Sequence, residues 1–363
     1  MYAQQSLQDF LFLMLYGGAA MLALLAGLYL LLRRGNAFIP DVTSLKTLRQ
    51  WTAAFFITAA LSHVWWVVLG VYWLTDDRLV RDITAVTLDH VTLVPLVMAS
   101  LLHMLQDRRR RLWPWFLAQV PVVVAAAVGI ARHDAFYGLD ITQYWQIGIM
   151  SLFVVYYVRS LILYGRWLRE NYADLEHKEV WQSLLFMVAL FIFYQLYFTN
   201  PGEMTREYMA QVNTLVIVIF LLWRVETLQM LEVKEDPVTS KDKSWTASGV
   251  VPSNIGTLLQ TCCADKKLYL QHDLSLAQLA EIIGTNRTYL SLYFAQQGLT
   301  YNAYINRLRI DYFESLYPKT VAAMRPVTAQ QLAYECGFKS YSTFSAAFKN
   351  LKGLTVTEWM KKQ

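Results

Sequence analysis

Seven long apolar stretches divide the first 231 residues, and beyond them the pattern changes to short amphipathic segments punctuated by glycine. A bilayer core of about 30 Å takes roughly 20 helical residues. On that measure the stretches 10–32, 51–74, 85–105, 113–131, 145–165, 180–199 and 209–231 are predicted to be membrane spans. The pattern therefore predicts an all-α chain in three parts: a seven-transmembrane-helix bundle over 1–231, a linker over 232–253 and a soluble all-α domain over 254–363. The linker, with Pro237, Ser240, Lys241, Asp242, Lys243 and Pro252, is read from its polar, proline-broken composition as a flexible tether.

Composition agrees with a chain partly in lipid: 56% of its 363 residues are hydrophobic and 16% are charged. The stretch Met1–Asp9 has no basic side chain, so the first apolar run is expected to stay as a span rather than act as a cleaved signal. Basic residues set the orientation. Arg33, Arg34, Lys46 and Arg49 follow span one, Arg108–Arg111 follow span three, and Arg166, Arg169 and Lys178 follow span five. These loops are predicted to be cytoplasmic, which places the N-terminus outside and the C-terminal domain inside. The net charge of +5 suits anionic headgroups or nucleic acid and selects neither. Cys262, Cys263 and Cys336 all fall in the tail without metal-ligand spacing and read as reduced thiols.

Polar side chains within the spans are the candidate ligand pocket: His63, Trp66, Asp89, His90, Gln195 and Asn213, most of them in the outer half. The same residues serve equally as interhelical hydrogen-bond glue. A metal set from His63, Asp89 and His90 is disfavoured, because adjacent helical residues diverge by about 100°. Neither a metal nor another cofactor is expected, and span seven has no lysine to hold retinal. Small residues Gly17, Gly18, Ala20, Ala23 and Gly27 in span one allow close helix contact within the bundle or in a homodimer.

In the tail one arrangement occurs twice. Leu276, Leu279, Ala280 and Ile283 mark a short helix, Gly284 a turn, and Leu290 with Phe294 the buried face of a second helix. Val327, Leu332 and Ala333, then Gly337, then Phe344 with Phe348 repeat it. Short helix, glycine turn and amphipathic helix form the helix-turn-helix pattern, and its recurrence strengthens the signal. Apolar spacing predicts a linking helix from Tyr301 to about Tyr317, roughly 25 Å long.

The tail resembles the DNA-binding domain of AraC/XylS regulators. The resemblance rests on Leu279-Ala280, the run Gly284–Ser291, Phe294, Gly298, Tyr304-Ile305-Asn306-Arg307, Leu332-Ala333, Cys336-Gly337-Phe338, Phe344, Phe348-Lys349 and Gly353. It implies seven helices, the third and sixth entering the major groove of double-stranded DNA. Carried over, Arg287, Thr288 and Ser291 in the first unit and Tyr341, Ser342 and Ser345 in the second face base edges, with Lys349 on a phosphate or base. This sequence departs from the family at Val356, where a proline is usual, at Phe313, where a small residue is usual, and over 318–326, which reads as an insertion. The resemblance and the topology together imply a non-enzymatic regulator in a bacterial inner membrane. Its spans are then a one-component sensor, an anchor that binds a membrane or periplasmic partner, or a transporter-like bundle. No HExxH or GxSxG motif supports an intramembrane enzyme.

Overall fold

The computed structural model describes residues 7–33, 35–36, 43–70, 75–199, 203–231, 254–324 and 328–362, with backbone alone for 191–199, 203, 204 and 206. The tether, 232–253, lies outside the described residues. Among the described residues every regular element is helical, and the only extended pairing is an isolated bridge between Tyr172 and Ser275. The chain forms two compact units, one of residues 1–162 and 180–231, the other of 163–179 and 232–363.

The first unit contains α1 (Leu7–Leu32), α2 (Lys46–Gly70), α3 (Arg78–His103), α4 (Trp113–Leu117), α5 (Val120–Arg132), most of α6 (Ile141–Asn171), α7 (Gln182–Thr199) and α8 (Glu203–Thr227). Among the described residues six helical segments are long and apolar enough to cross a membrane, counting α4 and α5 as one segment and α6 with the π-helical turn before it as another. The remaining expected span, 180–199, corresponds to α7, of 18 residues. Span four is broken at Ala118–Gln119 because Pro121 has no amide to donate and its ring crowds the carbonyl one turn back. α2 and α3 start earlier than the apolar pattern suggested, with Asp77 capping α3 through the amides of Leu79 and Val80.

α1 packs on α2 and α8, α2 on α3, α3 on α5, and α7 on α8. Of the small residues in α1, Gly27 serves the α1–α2 approach, since a Cβ there would lie 2.8 Å from Ile57 Cγ1, and Ala23 is fully buried. Gly17 and Gly18 face open space. Arg49 corrects the loop expectation. It belongs to α2, is 5% exposed, and donates to Glu226 Oε1 on α8 at 2.6 Å, to Ser44 Oγ and to the Leu30 and Arg33 carbonyls. Tyr29 OH donates to the other Glu226 oxygen at 3.0 Å, so a buried cation meets a buried anion with most of their hydrogen-bonding groups satisfied.

The second unit contains α9 (Ile255–Leu258), α10 (Leu276–Ile282), α11 (Arg287–Gln296), α12 (Tyr301–Ala322), α13 (Ala329–Glu335), α14 (Tyr341–Lys352) and α15 (Val356–Met360). Its core has two clusters, one around Leu279, Leu290, Phe294 and Ile305, the other around Phe313, Leu332, Phe344 and Phe348. α12 contributes to both.

Candidate nucleic-acid interface

Each head is built the same way. Ser275 and Thr328 cap α10 and α13 through capping boxes with Gln278 and Gln331. Gly284 (φ +73°) and Gly337 (φ +91°) turn the chain in the left-handed region. Asn286 and Ser340 then cap the second helices, α11 and α14, through the amides of Tyr289 and Thr343. Asn286 follows Gly284 by two residues and Ser340 follows Gly337 by three, so the second turn is one residue longer. Leu290 with Phe294, and Phe344 with Phe348, bury one face of each second helix.

On the outward face of α11, Thr288 is exposed and Arg287 and Ser291 are half-buried. On α14, Ser342 and Lys349 are exposed, while Ser345 and Tyr341 are half-buried. Tyr341 divides its ring between surface and core, 5.9 Å from the Phe344 ring.

Residues 279–362 match the family described as "Helix-turn-helix domain". The chain carries a helix-turn-helix domain of the AraC type. Over 92 residues it is 33% identical to a protein of Photobacterium leiognathi described as "Probable transcriptional regulator LumQ". That alignment covers 25% of this chain and 35% of the relative. No solved structure matches the chain.

The domain absorbs its departures from the family pattern by packing. Val356 is the first residue of α15 behind a capping box of Thr355 and Glu358, a position where proline's missing amide costs nothing and valine serves as well. Phe313 is fully buried and lies 4.7 Å from Phe344, 6.0 Å from Phe348 and 5.8 Å from Trp359, ring centre to ring centre. The linking helix does not stop at Tyr317. α12 runs through Pro318 to Ala322, 22 residues or about 33 Å, with Thr320 Oγ1 donating to the Leu316 carbonyl at 2.9 Å.

Sequence reasoning missed Arg309, which is 1% exposed on α12. Its guanidinium donates to the carbonyls of Tyr269 (2.7 Å) and Gln271 (2.8 Å) and lies 5.4 Å from the Phe338 ring centre. A Cβ at Gly337 would sit 2.8 Å from the Leu270 carbonyl oxygen. The turn of the second head is thus pressed onto residues 269–272 beside the first, which fixes the heads to one another. Burial pushes the Cys263 thiol to about 11 and the Cys336 thiol to about 12, so both are neutral packing groups at physiological pH.

In the first unit Trp66 and Asp89 of the expected pocket set are brought together, while His63 and His90 make other contacts. Asp89 accepts hydrogen bonds from Ser62 Oγ (2.6 Å), Trp65 Nε1 (3.1 Å) and Trp66 Nε1 (2.7 Å), all from α2. His63 Nδ1 lies 2.7 Å from the Ala59 carbonyl and Nε2 2.8 Å from Gln211 on α8, with the Tyr16 ring against its own. Gln211, absent from the expected set, is the α8 side chain that reaches His63, two positions before the half-buried Asn213. His90 Nδ1 is 2.7 Å from the Val86 carbonyl of its own helix. Gln195 lies in α7, and its side chain is outside the described residues. Among the described residues no three His, Cys, Asp or Glu side chains gather as a metal site.

Proposed function

We propose that the protein is a membrane-bound, sequence-specific transcription regulator. Seven spans hold a two-headed DNA-binding domain at the cytoplasmic face of a bacterial inner membrane, with the N-terminus outside. The observation that carries this reading is one chain with, among the described residues, six apolar, membrane-length helices followed by two helix-turn-helix units built to one plan. The relative's description as a transcriptional regulator points the same way. In this reading Arg287, Thr288 and Ser291 on α11, and Tyr341, Ser342 and Ser345 on α14, meet base edges in the major groove, and Lys349 meets the phosphate backbone.

The bundle then serves as sensor or as anchor. Asp89 favours the anchor, because its carboxylate already accepts three hydrogen bonds from α2 and is spent on holding α2 to α3. As an anchor it places the domain at the bilayer and offers its spans to a membrane partner.

The test is binding of the full chain, held in lipid nanodiscs, to a site selected from random DNA. Arg287→Ala should cost about 1–3 kcal/mol and relax the preference at one base position. Lys349→Ala should weaken all sequences alike and reduce the salt dependence by about one unit of slope. Equal, sequence-independent losses in both variants would remove Arg287 from the reading set.

A further inference from the structure

The compact unit that holds the two heads also contains Leu163–Glu179, the end of α6 and the segment after it. Ala173 is fully buried in the cluster of the first head, with Leu274, Leu276 and Tyr301. Its amide donates to the Leu274 carbonyl at 3.4 Å, and Tyr172 forms the antiparallel bridge with Ser275, the cap of α10. Asn302, in the first turn of α12, donates through Nδ2 to the carbonyls of Ala173 (2.6 Å) and Tyr172 (3.3 Å). These contacts make 172–173 a built part of the head, because they satisfy backbone groups that would otherwise be buried without partners.

The far end of the segment is held as firmly. Lys178 is 2% exposed and pairs with Asp273 at 3.4 Å, while Tyr164 OH on α6 donates to the Lys178 carbonyl at 3.0 Å. Asp273 also pairs with Lys339, directly ahead of the α14 cap Ser340. Burial pushes the Asp273 carboxyl up, but the Lys339 hydrogen bond and the Lys178 charge hold it below the usual carboxylate range. The segment therefore touches the entry to α10 directly and the entry to α14 through one shared carboxylate.

α6 is unbroken over its 31 residues, about 46 Å, against roughly 30 Å of bilayer core. An unbroken helix carries a displacement or rotation along its length. The composition of 232–253, polar and broken by Pro237 and Pro252, is read from the sequence as that of a tether. We propose that α6, ending in the docked segment 172–178, is the route by which a change in the membrane-spanning part alters DNA reading, and that 232–253 is only a leash. The proposal rests on the reading that the heads bind DNA.

Three changes to the full chain in nanodiscs test it. One alanine inserted between Ser160 and Leu161 turns the rest of α6 by about 100° and should change affinity for the selected DNA site about tenfold. Doubling the length of 232–253 with Gly and Ser should change it less than about twofold. Asn302→Ala should raise hydrogen exchange at the Ala173 amide about tenfold, and in that background the insertion should lose its effect on DNA affinity. An insertion effect that persists undiminished with Asn302→Ala, or a leash extension that shifts affinity while the insertion does not, overturns the proposal. If the insertion prevents folding, Asn302→Ala decides: unchanged Ala173 protection overturns docking. Ala173 exchange is read without DNA, so a chain that binds no DNA sequence fails the regulator reading separately from this one.

Discussion

Arg49 and Glu226 show how residue type and residue role part company. A basic side chain after the first span reads as a cytoplasmic surface charge, yet Arg49 is buried and its partner lies 177 positions away. Removing one member of a buried pair leaves an uncompensated charge, and Glu226→Ala should destabilise the first unit by about 3–5 kcal/mol. Arg49→Met with Glu226→Leu should recover much of that loss, because neither charge then remains. Thermal unfolding of the full chain in nanodiscs reads both; a double variant no better than Glu226→Ala would contradict the pairing. Lys178 follows the same logic, read as a loop charge and found buried against Asp273. Neither partner was legible, because the apolar period that reveals a buried face carries no information about which distant carboxylate meets a buried cation. The inner and outer faces of α11 were legible, since the spacing of Leu290 and Phe294 marks the buried side and leaves the proposed reading residues Arg287 and Thr288 off it.

At the scale of elements, the two heads were visible because each repeats the same local signals: a capped short helix, a glycine at positive φ and a second capped helix. Their coupling was not visible, since it runs through Arg309 to three backbone carbonyls before α10, those of Tyr269, Gln271 and His272. Arg309→Met keeps the length and removes the donors, leaving those carbonyls without the guanidinium, at about 1–3 kcal/mol. The expected result is lower stability of the domain in urea unfolding, with faster amide exchange at both Leu270 and Phe338. Faster exchange in one head alone would show that Arg309 supports that head without tying the two. α12 was read five residues short because Pro318 is a common helix stop; helix from Tyr301 to Thr320 packs buried side chains that outweigh one missing hydrogen bond.

At the scale of the whole molecule, six apolar, membrane-length helices among the described residues share a chain with a two-headed domain, and the hydrophobic pattern of the sequence changes near residue 231. The pattern did not reveal that 163–179 belongs with the domain, because the segment's role rests on Ala173 and on backbone pairing with Leu274 and Ser275, neither of which leaves a periodic signal. The central claim is that this chain reads DNA with both heads while held in a bilayer. Selection of bound sequences from a random DNA pool by the full chain in lipid nanodiscs tests it most directly. The account predicts enrichment of a two-block motif with block centres about one helical turn, 10–10.5 base pairs, apart, and Arg287→Ala should blur one block and spare the other. Absence of any enriched sequence, or a single block unaffected by Arg287→Ala, would contradict it.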